Sequence, residues 1–414
     1  MDSSNALTIE EGGTHPLRDE LLRQSGWESN LDACYTCGKC LSVCPLHGWG
    51  DLDPRMVVRK ILLGFEKEVV DDDWIFQCTG CDRCSKQCPM EIKMSNIITL
   101  ARSLRARDAV PGGSQKTCDL HRNVGNNMSL SEEDWLETVD WMREEAEAEW
   151  PGLDVPIDIK GAKYYMTINS KLPQYHPMDL QMIYRIFHAA GVSWTMPKLW
   201  WEGTNYAMFS GDLDTWEHTL RKQVENVEAL GCEVMAYTEC GHGYYATLAG
   251  YRKFGIEPKF EIVHKVNLYA QWIREGRIKV DKSKNTAPIT IHDPCNAVRK
   301  SEMNGFPSIA DDLRYVVGEV CENVIEMWPN RDHNYCCSGG GGLLISGFAK
   351  SRYHQGRPKV EQIDRTGAEL VCTPCVNCFD GIGDLAHHYK RPWKSIHLWE
   401  LVSEALVVPQ EDDR

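Results

Sequence analysis

The stretch NYCCSGGGG, residues 334–342, sets two adjacent cysteines before a run of four glycines. Disulfide geometry places the two Cα atoms about 5.5–6 Å apart, whereas neighbouring residues lie about 3.8 Å apart. Cys336 and Cys337 are therefore poorly suited to pair with each other. The rest of the chain has to explain why two thiols stand side by side here.

A second stretch, NYAMFSG at residues 205–211, looks like the same motif without its sulfurs. Two more pairs follow the same order: YYMTINSKL (164–172) parallels ITIHDPCNA (289–297), and TECGHG (238–243) parallels TPCVNC (373–378). Three matches in one order indicate an internal duplication. The later copy carries Cys295, Cys336, Cys337, Cys375 and Cys378, where the earlier copy has Ser170, Ala207, Met208, Cys240 and Gly243. This alignment also places Cys372 opposite Tyr237 and leaves it a spare thiol.

Two further cysteine runs lie near the N-terminus, CYTCGKCLSVCP at 34–45 and CTGCDRCSKQCP at 78–89. Each is a C-x2-C-x2-C-x3-C-P pattern, the spacing that holds two 4Fe-4S cubanes with the fourth cysteine of each run crossing to the other cluster. Paired zinc knuckles would use four-ligand C-x2-C sites and have no need of the x3-C-P ending. The expected ligand sets are Cys34, Cys37, Cys40 and Cys88 for one cubane, and Cys78, Cys81, Cys84 and Cys44 for the other.

The segments around these motifs indicate mixed helices and strands. Apolar residues recur at helical spacing between the two runs, so helices are expected to join them. Residues 105–130 are rich in Gly, Pro, Ser and Asn and predict a loop, followed by an acidic helix opened by a capping pattern from Ser131 to Asp134. After Pro151, short β-type runs separated by helical ones predict α/β structure.

Composition narrows the class of protein. The chain has 414 residues, 42% of them hydrophobic, with a formal net charge of −15, which argues against nucleic acid as the main ligand. No apolar run approaches the length of a membrane helix, and the N-terminus does not resemble a signal peptide. Eighteen cysteines in such a chain favour metal binding over disulfides. A cytoplasmic location is expected.

The pattern C-x40-CC-x37-C-x2-C resembles the cysteine-rich CCG domain of heterodisulfide reductase catalytic subunits. That resemblance implies that Cys295, Cys336, Cys337, Cys375 and Cys378 hold one non-cubane 4Fe-4S cluster, in which one of the adjacent thiolates bridges irons. It also implies that residues 339–342 bring their N–H groups close to the cluster. Because the earlier copy is degenerate, we expect two cubanes and one non-cubane cluster in all.

The resemblance extends over nearly the whole chain, in the layout of the fused HdrD type. We therefore predict an α+β multidomain protein, with a helical ferredoxin-type domain followed by a duplicated α/β CCG domain whose first repeat is degenerate. The expected boundaries are 1–108 for the ferredoxin-type domain, 109–158 for a linker with the acidic helix, 159–285 for the degenerate repeat and 286–414 for the intact one.

The resemblance also implies a function. The degenerate first repeat is similar to DsrK and TmcB subunits of membrane-bound redox complexes in sulfur-metabolising microbes. It implies a catalytic subunit held on the inner face of the membrane by a cytochrome b partner of the HdrE, DsrM or TmcC kind, with further redox subunits such as a multihaem cytochrome c. Electrons would pass between that partner and a disulfide or trisulfide and its dithiol, on a small thiol protein of the DsrC type or another disulfide substrate.

Four further residues are candidates at this site. Arg299, Lys300 and Arg331 are predicted to steady developing thiolate charge. Cys240 either packs as an ordinary thiol or faces the active cavity and helps to receive the sulfur substrate.

Two other functions stay open. The chain could be the iron-sulfur relay of a glycolate or lactate oxidase with a flavin partner, or a pure electron wire.

Overall fold

The protein folds as a helical N-terminal module followed by two α/β repeats, described by a computed structural model for residues 14–23 and 30–407. The N-terminal module consists of short helices around the two cysteine runs. They are α1 (Pro16–Leu22), α2 (Lys39–Ser42), α3 (Pro54–Leu62), α4 (Glu66–Val70), α5 (Trp74–Gln77), α6 (Arg83–Lys86) and α7 (Met94–Ser103).

Helix α3 shows how the segment between the runs folds. Asp53 caps it by accepting a hydrogen bond from the Met56 N–H, and Pro54 occupies the first helical position, where a missing N–H costs nothing. Val57 and Ile61 are buried on its inner face. The helical connection expected from the apolar spacing is confirmed.

The linker holds two helices, α8 (Gly112–Val124) and α9 (Glu132–Glu149). Helix α9 begins as predicted, with Ser131 accepting a hydrogen bond from the Asp134 N–H. The loop predicted for 105–130 is wrong over α8. That helix begins directly after Pro111, and the Cβ that Gly113 lacks would lie 2.0 Å from the Ile345 carbonyl oxygen. The glycine there serves packing and not a turn.

The first repeat contains a four-stranded parallel sheet in the order β2-β1-β3-β4. Its elements are β1 (Tyr164–Met166), α10 (Lys171–Tyr175), α11 (Met178–Ala190), β2 (Trp194–Thr195), α12 (Ala207–Ser210), α13 (Leu213–Leu230), β3 (Val234–Tyr237), α14 (Gly241–Phe254), β4 (Glu261–His264) and α15 (Lys265–Arg274).

The second repeat has the same sheet order, β6-β5-β7-β8, again all parallel. It comprises β5 (Ile289–Ile291), a π-helical turn (Asn296–Lys300), α16 (Ser301–Met303), α17 (Ala310–Val320), β6 (Val324–Ile325), α18 (Ala349–Asp364), β7 (Leu370–Thr373), α19 (Val376–Tyr389), β8 (Lys394–His397) and α20 (Leu398–Ala405). Two sheets with one topology confirm the predicted fold class.

Packing between helices fixes the structural alignment of the repeats. In the first repeat Gly250 of α14 gives room to Leu220 of α13, and in the second Gly356 of α18 gives room to Leu385 of α19. The leucine and the glycine of this packing pair have therefore exchanged helices between the two repeats. Helices α13 and α18 therefore align with Leu220 opposite Gly356.

The sheet register corrects one detail of the sequence alignment. Met166 pairs with Ala236, whereas the equivalent Ile291 pairs with Cys372. Cys372 thus takes the place of Ala236 and not of Tyr237. The difference arises because the first repeat has one more residue between the end of its third strand and the helix that follows.

Candidate iron-sulfur centres

The two N-terminal cysteine runs line two separate cavities. One is lined by Cys34, Cys37, Cys40 and Cys88, with Cys84 also on its wall. The other is lined by Cys44, Cys78, Cys81 and Cys84. The fourth cysteine of each run thus lies with the first three of the other, as expected for a two-cubane module. We call these groups the outer set (Cys34, Cys37, Cys40, Cys88) and the inner set (Cys44, Cys78, Cys81, Cys84).

The two sets differ in their distance from the surface. Cys37 of the outer set is exposed, and the neighbouring Tyr35 has 60% of its surface accessible. Cys81 and Cys84 of the inner set are buried. The outer set is therefore the one that a partner can approach.

The five cysteines of the second repeat converge beyond the carboxyl ends of the central strands β5 and β7. Cys295 follows β5, Cys375 caps helix α19 after β7, and Cys378 lies in the first turn of that helix. In each sheet the direction in which successive strands are added reverses between the two central strands, β1 and β3 in the first sheet and β5 and β7 in the second. Ligand sites of open α/β sheets lie at such switch points.

The thiols of this five-cysteine site are close together. The sulfurs of Cys337 and Cys378 lie 3.1 Å apart, and with a ring nitrogen of His292 they form a group within 4.8 Å. Cys295 is half-buried, and the other four cysteines are at most 4% exposed. Because Cys336 and Cys337 are adjacent in the sequence, a single turn of the chain brings two sulfurs to the site.

The pKa values of these thiols are split by their mutual contacts. Contacts with Cys336 and Cys378 hold the pKa of Cys337 well below its ordinary value, and contacts with Cys240 and Cys378 do the same for the pKa of Cys375. The same contacts raise the pKa of Cys240 and of Cys378. Five convergent sulfurs fit an iron-sulfur group.

Cys240 of the first repeat belongs to the same gathering of sulfurs. It is 0% exposed, and its thiol is within hydrogen-bonding reach of Cys375. The two cysteines cap equivalent helices of 14 residues, α14 and α19. His242 and Asn377, which occupy equivalent positions in the two repeats, lie next to them. The amide nitrogen of Asn377 is 3.2 Å from the ring Nδ1 of His242. The internal pseudo-symmetry axis thus passes beside this site.

The first repeat itself is closed to a cluster. A Cβ on Gly243, which stands where the second repeat has Cys378, would lie 1.7 Å from the Gly203 carbonyl oxygen. The ring of Phe209 stacks on His242 with centroids 3.5 Å apart, and Met208 is buried beside it. Protein atoms fill this region.

The inner set adjoins the five-cysteine site directly. The Cys81 thiol is within hydrogen-bonding reach of Cys336, and this contact and burial raise its pKa. Thr79 also hydrogen-bonds Cys336. One cysteine of the N-terminal module therefore touches one cysteine of the second repeat.

Arg299 holds that junction and does not point to open space. Its guanidinium donates to the Cys81 carbonyl at 2.7 Å and to the carbonyls of Asp332 and Asn334. With its donors taken by three backbone oxygens, Arg299 fixes the inner set against the second repeat. Burial raises the pKa of Cys295 and the charge of Arg299 acts against that shift, so the role of Arg299 in steadying thiolate charge stays a prediction.

Arg102 makes a second clamp from helix α7. It donates to the carbonyls of Ile75 and Cys78, at 2.6 and 2.7 Å, within its own module. It also donates to Phe209 of the first repeat, and to Gly341 of the second at 3.0 Å. One buried arginine thus joins all three parts of the chain.

The glycine run has a packing role in addition to the one that the resemblance implies. A Cβ on Gly341 would lie 2.5 Å from the Cys78 carbonyl oxygen, and one on Gly340 would lie 2.9 Å from that of Thr79. A Cβ on Gly339 would lie 2.1 Å from the Asn377 carbonyl. Glycines here let two backbone segments approach, so that the loop of the inner set can dock.

The other two predicted cations, Lys300 and Arg331, differ in burial. Lys300 is buried, its ammonium 4.1 Å from the centre of the Tyr245 ring, and its pKa is lowered by burial while Cys295 and Cys81 act against that shift. Arg331 is exposed and pairs with Asp311. Lys300 lies near the sulfurs, and the Arg331 side chain is directed to the surface.

Two residues near the sulfurs were not predicted from the sequence: Arg102 and Lys359. The sequence indicates His292 and His333 as the histidines closest to the site cysteines, with hydrogen bonding to the site or simple packing as their role, and His292, directly after β5, lies with Cys337 and Cys378. Arg102 and Lys359 lie within helices, and nothing in their local sequence marks them.

Comparison with known proteins assigns two segments of the chain to families. Residues 33–93 match the 4Fe-4S dicluster domain, and residues 289–382 match the Cysteine-rich domain called CCG. The first match contains both N-terminal cysteine runs, and the second contains all five cysteines of the later repeat. These matches indicate 4Fe-4S clusters.

Similar proteins extend the comparison over most of the chain. The iron-sulfur subunit 2 of an Hdr-like menaquinol oxidoreductase from Archaeoglobus fulgidus is 23% identical, over 95% of this chain and 82% of that protein. The HdrD-type polypeptide of the dihydromethanophenazine:CoB–CoM heterodisulfide reductase from Methanosarcina barkeri is 24% identical, over 91% of this chain and 94% of its own length. The resemblance to heterodisulfide reductase subunits is confirmed.

A third relative is longer. The EtfAB:quinone oxidoreductase of Syntrophomonas wolfei is 24% identical over 91% of this chain, which spans 58% of that protein. Together these similarities support an iron-sulfur redox role. Among residues 14–23 and 30–407, no helix is both long and apolar enough to cross a membrane.

Proposed function

We propose that this chain is the catalytic iron-sulfur subunit of a membrane-associated complex that exchanges electrons between a membrane partner and a disulfide or trisulfide and its dithiol. A cytochrome b subunit is the proposed partner, and a DsrC-type small protein is a candidate substrate. The complexes that contain DsrK or TmcB subunits are the proposed setting. The observation that carries the proposal is the contact between Cys81 of the inner set and Cys336 of the five-cysteine site.

The three cysteine sets form an ordered series from the surface inward. The outer set reaches the surface at Cys37, the inner set is next, and the five-cysteine site follows through Cys336. When bound, two cubanes and a non-cubane cluster would supply one-electron carriers and iron that can take a substrate sulfur. The order of the sets supports electron entry or exit at the outer set, on the side that carries Tyr35.

Reduction of a disulfide consumes two electrons and two protons and yields two thiols. The residues of the chain contribute position: Arg102 and Arg299 hold the inner set against the repeats. Cys240, beside Cys375, is proposed to face the substrate sulfur. Lys300 adds a buried positive charge near Cys295, which would favour thiolate products.

The test is reoxidation of the reduced protein. The anaerobically purified chain is reduced with dithionite, freed of excess reductant and mixed with a cysteine trisulfide or with an oxidised DsrC-type protein. We expect the iron-sulfur absorbance to return with two electrons used for each S–S bond cleaved, so that full reduction of a trisulfide takes four electrons and releases its central sulfur as sulfide. If neither oxidant restores the absorbance in protein with full iron content, the catalytic assignment is wrong.

A second candidate, an electron relay without a substrate of its own, is favoured by one observation. Cys336, Cys337, Cys375 and Cys378 are at most 4% exposed. A relay would not need these sulfurs to be reached from outside. This candidate predicts that the reduced chain is reoxidised by quinone when its membrane partner is present, and by no disulfide or trisulfide. As the relay of a glycolate or lactate oxidase it would instead be reduced by a flavin partner.

A further inference from the structure

Lys359, on helix α18, is a buried lysine that meets only neutral hydrogen-bond acceptors among the residues that the structure describes. It is 0% exposed. Its ammonium donates to the Asn334 side-chain oxygen at 2.5 Å and to the Gln362 side-chain oxygen, and lies 3.3 Å from the Met327 sulfur. Lysines are almost never fully buried unless a negative charge compensates them.

The nearby carboxylate is already engaged by another cation. Asp293 accepts two hydrogen bonds from Arg314, at 2.8 and 3.0 Å, and a third from the Arg331 N–H at 2.6 Å. The other negative groups that act on Lys359 are the cysteines of the site, Cys336, Cys337 and Cys378. Burial lowers the pKa of Lys359 to about 7, and these groups act against that shift.

The first repeat supplies an internal comparison. With Leu220 aligned on Gly356, the position of Lys359 corresponds to Gln223. Gln223 is also buried, and its amide donates to the Glu202 carbonyl at 3.1 Å. The repeat that carries all five site cysteines thus has a lysine at this position, and the repeat that keeps one of these five has a neutral amide.

We propose that Lys359 is the built-in counter-ion of the iron-sulfur group held by the five cysteines, and that its charge raises the reduction potential of that group. The proposal rests on the ligand assignment within the proposed function but not on any substrate. Net charge and hydrogen bonding around a cluster set its potential. Each electron added makes the group more negative, so a protonated Lys359 nearby favours the reduced state.

The test is a redox titration of the Lys359→Gln variant, which installs the residue of the first repeat. The midpoint potential of the non-cubane cluster is followed by electron paramagnetic resonance, without disulfide or partner subunit. We expect it to fall, while the potentials of the two cubanes stay near those of the wild type. Lys359→Arg keeps the charge and should keep the potential above that of the Gln variant.

Lys265→Gln is the matched control. Lys265 is also fully buried, but it lies in the first repeat, where it donates to the Thr167 carbonyl. Burial lowers the pKa of Lys265, and the negative charge of Glu239 acts against that shift. This variant should lose stability without moving the potential of the non-cubane cluster.

Each result decides the question. An unchanged potential in Lys359→Gln, or an equal shift in Lys265→Gln, would overturn the proposal. If Lys359→Gln does not retain the cluster, iron is compared in Lys359→Arg and Lys359→Met. Retention with Arg and loss with Met supports a role for charge, whereas loss in both shows a packing role only. If the wild type shows no disulfide turnover, the proposed substrate is wrong, but the redox titration of Lys359→Gln can still be interpreted.

Discussion

The two repeats have the same sheet order and nearly the same helices, yet only one of them gathers thiols. The first repeat has Ala207, Met208 and His242 where the second has Cys336, Cys337 and Asn377. It also has Gly243, against a carbonyl, where the second has Cys378. The first repeat has the same fold but keeps one of the five cysteine positions.

The comparison shows that the fold does not depend on the sulfurs. Each repeat is held by its parallel sheet and by helices packed through complementary large and small residues, such as Leu220 with Gly250. The cysteines lie in the loops and first turns beyond the strands. Such positions can change without loss of the core, so the two repeats keep one fold although their cysteines differ.

The largest expected effect is from Cys337→Ala. The variant should lose about four of about twelve irons per chain and all disulfide-dependent turnover, because four thiolates cannot replace the bridging arrangement of five. Iron analysis and turnover on the same preparation measure both effects.

Met208→Ala, at the aligned position of the first repeat, is the control for Cys337→Ala. It should keep full iron content and lose about 2–5 kcal/mol of stability, as other shortened buried side chains do. An iron content near sixteen in the wild type would show that the first repeat binds a cluster after all.

An intermediate effect is expected from Gly341→Ala. Its Cβ would lie 2.5 Å from the Cys78 carbonyl oxygen, so the loop of the inner set should be displaced from the second repeat. Reoxidation of the cubanes by substrate should become slow while their iron is retained. Stopped-flow absorbance and iron analysis measure the two properties.

Gly347→Ala controls for backbone strain alone. Gly347 also has a positive φ, of 83°, but its Cβ would meet no atom within 4 Å. It should cost about 1 kcal/mol of stability and leave the electron transfer rate unchanged. Equal slowing in both variants would show that strain, and not contact with Cys78, is responsible.

The smallest effect is expected from Cys240→Ser, which removes the one sulfur that the first repeat shares with the site. Iron content should stay full, and turnover should fall about tenfold, equivalent to a lost interaction of about 1.4 kcal/mol. Cys232→Ser, at another buried cysteine of the same repeat, should not change turnover. If the rate of Cys240→Ser equals the wild-type rate, Cys240 is only a packed thiol.

Much of the site was predictable because its signals are local. The C-x2-C-x2-C spacing predicted two crossed ligand sets, and the cavities lined by Cys34 and Cys78 and their neighbours have that composition. The duplication was visible from three short matches. The α/β class of the repeats followed from the alternation of strand and helix patterns.

The contacts that join the modules could not be predicted from the sequence. Arg102 and Gly341 are 239 positions apart, and Arg299 and Cys81 are 218 apart, so no periodicity or spacing connects them. The glycines at 113 and 339–341 have a composition typical of loops, whereas in the folded chain they allow close backbone packing. The need for these residues comes from tertiary contacts, which only the folded structure shows.

The docking of the inner set against the glycine run has a consequence for assembly. Cys81 and Cys84 are buried in the folded chain, and the segment that packs on their loop is synthesised more than 250 positions later. We expect iron to reach the inner set before the second repeat closes over it. Maturation of this protein would then have a fixed order, in which the N-terminal module is loaded first and the catalytic repeat seals it.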